Sequence, residues 1–435
     1  MKIAILGGGL TGLTAAYYLA KENHDVTIFE KESFLGGIAS GFKMDDWSWY
    51  LDKTYRHIFS NDSEFLGLCD ELGVLDKMIF SEPETASLYP VLPKTHEVNI
   101  YRIFPVDSPQ DFLKLPFLSL PEKIRAGLIV AFLKFSPFLS LYEKQTANRF
   151  LRETMGQRVW DVLWEELFRK KFGKYAENIL ASFIWARIKK RTKKLGYYQG
   201  GFQNMINLME KTLKEKKVII HKNFSVNGIR VDRGEFIIND KQEKYAAIIS
   251  TLATPIILNT ASNLLPNYYI NRLKQIKYLW SVTQILETQT ALFDKTYWVN
   301  VYDKNIPIMG LVQQTNYVDK KFYGGKHILY IGNYVDDNDA RLKMNDKELF
   351  NYYFPYLKKI NTKYLIPDTK YYTFRFPFSQ PIFDAGFLKN KPDYITPIKN
   401  FYIANQDLTY PYDRGSNYAV SIAKKVCRIL LANNS

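Results

Sequence analysis

The sequence has 435 residues, a length that favours two or three structural units. Hydrophobic residues make up 46% and charged residues 24%, which is typical of a globular protein and excludes a disordered one. Its two cysteines lie far apart and its five histidines are scattered, so we predict neither a disulfide framework nor a metal site. The N-terminus lacks a signal-peptide pattern, which favours a cytoplasmic location.

Positive charge is concentrated in one region of the chain. The formal net charge is +15, and residues 111–200 hold 18 Lys and Arg against 8 Asp and Glu, a difference of +10. The densest run is 189–194. This charge favours a phosphate-bearing substrate or an anionic membrane surface, with a solvated helix end as the alternative. No recognition motif accompanies it, so we predict no nucleic-acid partner.

An apolar stretch at 126–142 lies within the same region. Lys134 and Pro137 interrupt it, so the pattern predicts a buried or interfacial helix pair and not a membrane-spanning helix. A peripheral contact through 111–142 with the inner face of the membrane is therefore one prediction for this region.

The first thirty residues alternate between strand and helix patterns. Residues 2–6 are typical of a buried strand, and a glycine-rich turn follows at 7–12. Apolar residues then recur at helical spacing as far as Lys21. Residues 26–29 form a second strand that ends at Glu30. Together they predict a nucleotide-binding βαβ unit.

Each glycine of this turn has a separate physical role. Gly7 permits the tight turn, Gly9 lets a pyrophosphate approach the backbone, and Gly12 lets helix and strand pack closely. The pyrophosphate then lies at a helix N-terminus, where free N–H groups favour negative charge. Glu30 follows Gly12 by 18 residues, close to the usual spacing of about 20, and its carboxylate can accept hydrogen bonds from ribose hydroxyls.

Later segments of the chain continue the same α/β pattern. Strands are predicted at 218–221, 245–252 and 401–404, with a β-meander at 224–238 and a C-terminal helix at 417–431. These blocks are separated by aromatic-rich insertions, so we predict an α/β fold: a discontinuous Rossmann-like nucleotide-binding domain and a second, α+β substrate domain. The nucleotide-binding segments are 1–85, 195–257 and 371–435, and the substrate segments are 86–194 and 258–370.

Four stretches together resemble one superfamily of flavoproteins. They are the glycine turn with its acid, the Gly-Gly turn at 35–40, the segment 195–203 with its own Gly-Gly pair, and residues 410–419 before the last helix. In this order they resemble the FAD-dependent amine oxidase and protoporphyrinogen oxidase-like superfamily. Ile38 departs from the pattern, because an arginine is usual at that position.

The resemblance implies FAD as the cofactor, so the discontinuous Rossmann-like domain is expected to be an FAD-binding domain. The residues that it implies at the FAD are Gly7, Gly9, Leu10, Thr11, Gly12, Glu30, Lys31, Gly36, Gly37, Ile38, Ala39, Val226, Thr251, Asp413, Arg414, Gly415 and Asn417.

On the substrate side, His57 is the first candidate for proton transfer, because an imidazole exchanges a proton near neutral pH. A structural histidine is the alternative. Tyr55 and Arg56 are weaker candidates, and Arg187 and Arg375 are candidates to contact an anionic substrate. Three tryptophans in helical stretches are predicted core residues: Trp160, Trp164 and Trp185.

Three functions are compatible with these residues. The first is an FAD-dependent oxidoreductase that moves a hydride from a substrate C–H or C–N bond to flavin, with an apolar and anionic small-molecule substrate and an open choice of electron acceptor. The second is a redox-neutral nucleotide-sugar mutase resembling UDP-galactopyranose mutase. The third is a non-catalytic flavin-binding or membrane-docking protein.

Overall fold

The structure is a computed structural model and describes every residue except 92–99, 363, 365–367 and 435. The predicted divisions that include some of these residues are 86–194, 258–370 and 371–435.

The strands, in chain order, are β1 (Lys2–Leu6), β2 (Asp25–Phe29), β3 (Gly41–Phe42), β4 (Leu51–Asp52), β5 (Ile58–Phe59), β6 (Met78–Ser81), β7 (Glu84–Val91), β8 (Ile100–Pro105), β9 (Leu195–Tyr198), β10 (Ile219–His221), β11 (Ile229–Asp232), β12 (Glu235–Ile238), β13 (Lys244–Tyr245), β14 (Ala247–Ser250), β15 (Tyr278–Thr288), β16 (Thr296–Val301), β17 (Gly310–Gln313), β18 (His327–Val335), β19 (Lys370–Pro381) and β20 (Phe401–Ile403). The α-helices are α1 (Leu10–Lys21), α2 (Ser63–Glu71), α3 (Pro109–Leu113), α4 (Leu120–Phe135), α5 (Leu139–Tyr142), α6 (Ala147–Met155), α7 (Gln157–Leu163), α8 (Glu165–Phe172), α9 (Ala181–Lys190), α10 (Phe202–Glu215), α11 (Thr254–Ala261), α12 (Asn267–Leu273), α13 (Asp346–Ile360), α14 (Ala385–Asn390) and α15 (Ser416–Ala432).

A five-stranded parallel sheet forms the first layer. Its order is β10-β2-β1-β14-β20, so strands from the beginning, middle and end of the chain lie side by side. Ile3, Ile248 and Ile249 are fully buried, as expected for a parallel sheet that is covered on both faces. Helices α1, α10 and α15 pack together against one face. The predicted Rossmann-like fold is confirmed.

The connection from β1 to α1 depends on close backbone packing. Gly7 has φ +103°, a conformation that side chains other than glycine rarely adopt. A Cβ atom on Gly12 would lie 2.0 Å from the carbonyl oxygen of Gly7, so the helix and strand can meet only if residue 12 is glycine. As a result, α1 begins directly above the end of β1, and the α1 residues Leu13 and Ala16 are fully buried.

A mixed seven-stranded sheet forms the second layer, in the order β19-β15-β18-β17-β16-β7-β8. Strand β15 pairs antiparallel with both β18 and β19. The sequence division assigned residues from 371 onwards to the FAD-binding domain. Because β19 pairs in the second sheet, the chain returns to the first layer only after Pro381, and the boundary is corrected accordingly.

Helices α3 to α9 form a layer beside the two sheets. Trp160 and Trp185 are buried in it and Trp164 is half-buried, which agrees with their predicted core role. The helix pair predicted at 126–142 is α4 and α5. Over the described parts of the chain, no helix combines the length and the hydrophobicity needed to cross a bilayer.

The contact at Gly12 leads to a stability prediction. Gly12→Ala should lower the free energy of unfolding by about 2 kcal/mol, because the methyl group overlaps backbone that cannot move aside. The matched control is Gly67→Ala in α2, where the nearest atom to an added Cβ is the Lys424 Nζ at 4.0 Å and helix propensity favours alanine by about 0.5–1 kcal/mol. Urea unfolding followed by circular dichroism measures both; equal effects would contradict the packing role.

Candidate active site

One continuous cavity of about 620 Å³ lies between the two sheets and the helical layer. Its first end is formed where the parallel strands finish, by residues that follow β1, β2, β14 and β20. Its second end is formed by β16, α8, α9 and the segment before α15. In open parallel sheets, ligands bind at the carboxyl ends of the strands, so this position is the expected one for a nucleotide.

The start of α1 opens onto the first end. The N-cap residue of α1 is Gly9, which has no side chain that could cap the helix, and the first turn contains no acidic residue. A Cβ atom built on Gly9 would meet nothing within 4 Å, so the backbone here faces open space. Leu10 and Thr11 also line the cavity. The first amides of a helix have no partner inside it, and an anion can therefore bind here.

Glu30 is held against the same turn. Its carboxylate accepts hydrogen bonds from the backbone N–H of Gly8 at 2.7 Å and of Glu32 at 2.8 Å. Each carboxylate oxygen keeps a free lone pair for a further donor, such as a sugar hydroxyl. Lys31 and Val226 line this end beside it. The chain after β10 first passes Glu30, because the Phe224 N–H donates to the Glu30 carbonyl, and the predicted meander begins only with the antiparallel pair β11 and β12.

The second glycine turn, Gly36 to Ala39, closes over the first. Gly36 and Gly37 both have positive φ, and the Gly36 N–H donates to the Gly8 carbonyl at 2.8 Å. Ile38 and Ala39 also line the cavity, as does Thr251 after β14.

Arg56 places a cation beside Ile38, the position at which the sequence pattern usually has an arginine. Its Nη2 donates to the Ile38 carbonyl at 2.8 Å, and its Nη1 donates to the Ser416 Oγ at 3.0 Å. The guanidinium group thus lies on the cavity wall between the second glycine turn and the first turn of α15. Sequence reasoning named Arg56 only as a weak substrate contact. The departure at Ile38 was the available signal that a guanidinium group had to come from another position.

The start of α15 is the second uncapped helix terminus in the cavity. Its N-cap, Gly415, has no side-chain cap, and Ser416 follows it on the wall. Asn417 also lines the cavity, but its Oδ1 accepts from the backbone N–H groups of Glu64 at 2.9 Å and Phe65 at 3.1 Å. That side chain therefore caps α2 and fixes the two helices to each other.

Two charged residues before α15 connect the two ends of the cavity. Arg414 donates to the Tyr334 hydroxyl at 2.6 Å and to the Ser379 carbonyl at 3.2 Å. Asp413 forms an ion pair with Lys171 of α8 at 2.8 Å. Burial would raise the pKa of Asp413, but Lys171 and its cationic neighbours hold it below its usual value, so the carboxylate stays ionised.

The second end of the cavity carries an excess of positive charge. Arg187 and Lys190 of α9 and Arg191 after it all line the wall. Arg191 lies 3.7 Å from Asp107, but within the described parts of the chain neither Arg187 nor Lys190 has an ion-pair partner. The basic run noted in the sequence is therefore partly a feature of the cavity wall. Sequence reasoning identified Arg187 but missed Lys171, Lys190 and Arg191 as individual site residues.

Aromatic side chains form the rest of this end. Tyr55 packs edge-on against Trp298 with ring centroids 4.9 Å apart. A Cβ atom on Gly332 would lie 2.3 Å from the Tyr55 ring, so β18 leaves room for it only because glycine is there. Tyr297 and Tyr334 also line the wall. They lie more than two hundred residues from Tyr55, and no sequence signal linked them to it.

His57 lies on the same wall in an uncharged state. Its Nδ1 is 3.3 Å from the Tyr297 hydroxyl oxygen. Burial, and then the positive charges of Arg191 and Arg187, lower the pKa of His57 to about 3. This value contradicts the expectation that His57 exchanges a proton near neutral pH. A neutral imidazole can still donate or accept a hydrogen bond.

Arg375 does not line the cavity, although the sequence hypothesis made it a contact to an anionic substrate. Its Nε donates to the Arg341 carbonyl at 3.1 Å, and its Nη2 donates to the Met344 carbonyl. In β19 the cavity is lined by the three residues after Arg375, Phe376 to Phe378, and not by Arg375 itself. The assignment of Arg375 to a substrate contact is therefore corrected: it anchors the loop before α13. Gly12 likewise has a packing role and does not line the cavity.

The residues at the first end fit FAD. Two uncapped helix starts face the same cavity, an anchored carboxylate lies beside the first, and the Arg56 guanidinium lies beside the second. An elongated cofactor with an anionic pyrophosphate and a ribose matches this donor set. The fold and the site thus define a flavoprotein of the oxidoreductase class. The chain belongs to the flavin containing amine oxidoreductase family, whose sequence model matches residues 10–427, and its cofactor is FAD.

Relatives among curated proteins match parts of the chain. The chain is 36% identical over 97 residues to a 15-cis-phytoene desaturase of Synechococcus elongatus, a match that covers 20% of each protein. It is 23% identical over 304 residues to a 4,4'-diaponeurosporene oxygenase of Staphylococcus aureus, covering 59% of this chain and 58% of the relative. The matches thus span less than two thirds of these relatives' lengths.

Solved structures show the same fold over the whole chain. A protein of Exiguobacterium sp. 255-15, provisionally assigned as a protoporphyrinogen oxidase, has a TM-score of 0.74 at 18% identity, covering 99% of both chains. A reduced UDP-galactopyranose mutase has a TM-score of 0.74 at 14% identity, covering 100% of this chain and 94% of the mutase.

The position of Arg56 leads to a prediction on FAD retention. Arg56→Ala should raise the FAD dissociation constant about tenfold or more, since charge-assisted hydrogen bonds contribute about 1.5–3 kcal/mol. Arg56→Lys keeps the charge without the fork and should give an intermediate value. Flavin absorbance after dialysis measures this, with Arg230→Ala, an exposed ion-pair residue, as the control. Full retention in Arg56→Ala would show that the cation contributes nothing to binding.

The environment of His57 leads to a titration prediction. Because burial and nearby cations disfavour the imidazolium form, the His57 resonance should not titrate between pH 5 and 8. NMR of protein labelled with ¹⁵N-histidine measures this, and His57→Gln assigns the signal. A midpoint near the ordinary value of about 6.5 would contradict the structure.

Proposed function

We propose that the protein is an FAD-dependent oxidoreductase that accepts a hydride from a C–H bond of an anionic, partly apolar small molecule, at a carbon bonded either to carbon or to nitrogen. The observation that carries this proposal is the second end of the cavity, where aromatic walls and unpaired cations lie side by side next to the cofactor end. When bound, FAD supplies the hydride acceptor, and the electrons then pass to a separate acceptor. The protein therefore has to bind, orient and enclose the substrate.

The charges of the second end of the cavity, which we call the chamber, support an anionic substrate. Neither Arg187 nor Lys190 forms an ion pair among the described residues, although the carboxylates of Asp413 and Asp62 on the same wall attract them. Attraction to an anion is stronger in a partly buried site than in bulk water. A phosphate or carboxylate group bound here would satisfy both. The rest of the molecule would then lie along Tyr55, Tyr297 and Trp298, whose rings favour apolar groups.

The uncharged groups of the chamber support orientation and not general base catalysis. His57 stays neutral, and burial raises the pKa of Tyr55 well above its usual value, so neither is a base at neutral pH. Both can hold a substrate through hydrogen bonds. Abstraction of a hydride leaves any proton transfer to the substrate's own amine or to water, so a charged base on the wall is unnecessary.

A nucleotide-sugar mutase is the second candidate. The shared fold with UDP-galactopyranose mutase and the cations of the chamber favour it, because a diphosphate would satisfy those cations. Membership of the amine oxidoreductase family favours the oxidoreductase. Anaerobic spectroscopy separates the two. Bleaching of oxidised flavin by a candidate substrate supports the oxidoreductase. Turnover of UDP-sugars only after reduction by dithionite, with no net consumption of electrons, supports the mutase.

The anion site is tested directly with inorganic pyrophosphate. The FAD-bound protein should bind it, and Arg187→Ala should weaken binding about tenfold or more, because a charge-assisted contact is lost. Calorimetric titration measures the dissociation constant, and Lys174→Ala, an exposed lysine of a surface ion pair, is the matched control. Equal affinity in wild type and Arg187→Ala would remove the support for an anionic substrate.

A further inference from the structure

The surface of the helical layer carries a concentrated apolar patch. Among the described residues, nine of the seventeen exposed large hydrophobic side chains lie between residues 113 and 141. These nine, which we call the α4–α5 face, are Leu113, Leu120, Ile124, Leu128, Val130, Phe132, Phe135, Phe138 and Leu141. A patch of this kind is uncommon on a monomer and marks an interaction surface.

The patch follows one side of a well-formed helix. Of the six exposed apolar positions along α4, all except Val130 are separated by four, four, four and three residues, which is the spacing of a single helical stripe. Phe135 is 81% exposed and Leu128 is 66% exposed, whereas Ala126 and Leu133 on the opposite side are buried. A capping box at Ser119 fixes the start of the helix. The exposure is therefore a property of a stable element.

Basic residues lie around the face, and two of them also pair with carboxylates: Arg149 with Glu153 and Arg158 with Glu122. Five exposed basic residues lie on α4 and the segments next to it: Lys114, Arg125, Lys144, Arg149 and Arg158. Arg125 is held in place by the backbone carbonyls of Thr154 at 2.5 Å and Glu153 at 2.7 Å. An apolar stripe with a basic rim is the pattern of a helix that lies in the interface of an anionic membrane.

The inner side of α4 is attached to the chamber wall. The Lys134 Nζ donates to the backbone carbonyls of Lys189 at 3.1 Å and Arg191 at 2.8 Å. These carbonyls belong to the turn that carries the cations of the chamber. The helix that bears the exposed face therefore also supports the substrate end of the cavity.

We propose that the α4–α5 face docks on the surface of an anionic phospholipid bilayer, with the apolar stripe in the headgroup boundary and the basic rim on the phosphates. A second copy of the chain is a poorer occupant. In a symmetric dimer the same face meets itself, so the basic rims would oppose each other. An anionic bilayer presents a charge opposite to that of the basic rim. It also accepts an apolar stripe without needing polar groups that fix one docking position.

Co-sedimentation of the full-length FAD-bound protein with vesicles tests this proposal. The wild type should pellet with vesicles of equal parts phosphatidylcholine and phosphatidylglycerol, and less with phosphatidylcholine alone or at high salt. The triple variant Leu128→Ser, Phe135→Ser, Phe138→Ser should bind about tenfold less or weaker still. The matched control is Tyr268→Ser with Ile395→Ser, two exposed apolar residues outside the face.

Three outcomes would overturn the proposal. The first is a wild type that stays in solution with anionic vesicles, and the second is a triple variant that pellets as the wild type does. The third is a wild-type dimer in analytical ultracentrifugation that the triple variant disperses, which would assign the face to a second copy. Retained flavin absorbance in each variant shows that its fold is intact. This control does not depend on which substrate the protein uses.

Discussion

Unpaired backbone amides at the start of α1 are the constraint around which the first layer is organised. They face the cavity because Gly12 brings the helix against β1 and Gly9 leaves the backbone bare. Glu30 is drawn to the same turn through the Gly8 amide. The second glycine turn is tied to the Gly8 carbonyl, and Arg56 ties that turn to α15. A single anionic group bound at α1 therefore has neighbours from the beginning and the end of the chain.

The nucleotide end of the cavity could be predicted because its residues are close in sequence. Strand, glycine turn, helix and acid all fall within the first thirty residues, and each has a local physical reason. The discontinuous sheet could be predicted as well, since buried parallel strands show as short apolar runs. Arg56 was harder to assign. Its role depends on which carbonyl its guanidinium reaches, and only the folded chain places Ile38 and Ser416 on either side of it.

The second end of the cavity could not be predicted, because the fold brings its residues together from distant parts of the chain and no sequence spacing links them. Tyr55 packs against Trp298 of β16, and Lys171 pairs with Asp413, although more than two hundred residues separate the members of each pair in the sequence. Arg375 shows a second reason. The sequence around Arg375 does not say which side chains of the segment face the ligand, and here Phe376 and not Arg375 lines the cavity. His57 shows a third, because its pKa depends on cations contributed by another helix.

The excess positive charge of residues 111–200 left open a solvated helix end and two explanations that involve a partner, a substrate phosphate or a membrane surface. The structure divides that charge between two sides of one layer. Arg187, Lys190 and Arg191 line the chamber, whereas the exposed basic residues around α4 lie on the outside. Lys134 joins the two sides, since its ammonium group on α4 holds the backbone of the turn after α9. The two explanations are therefore compatible, and a molecule with an apolar body and an anionic head would suit both surfaces.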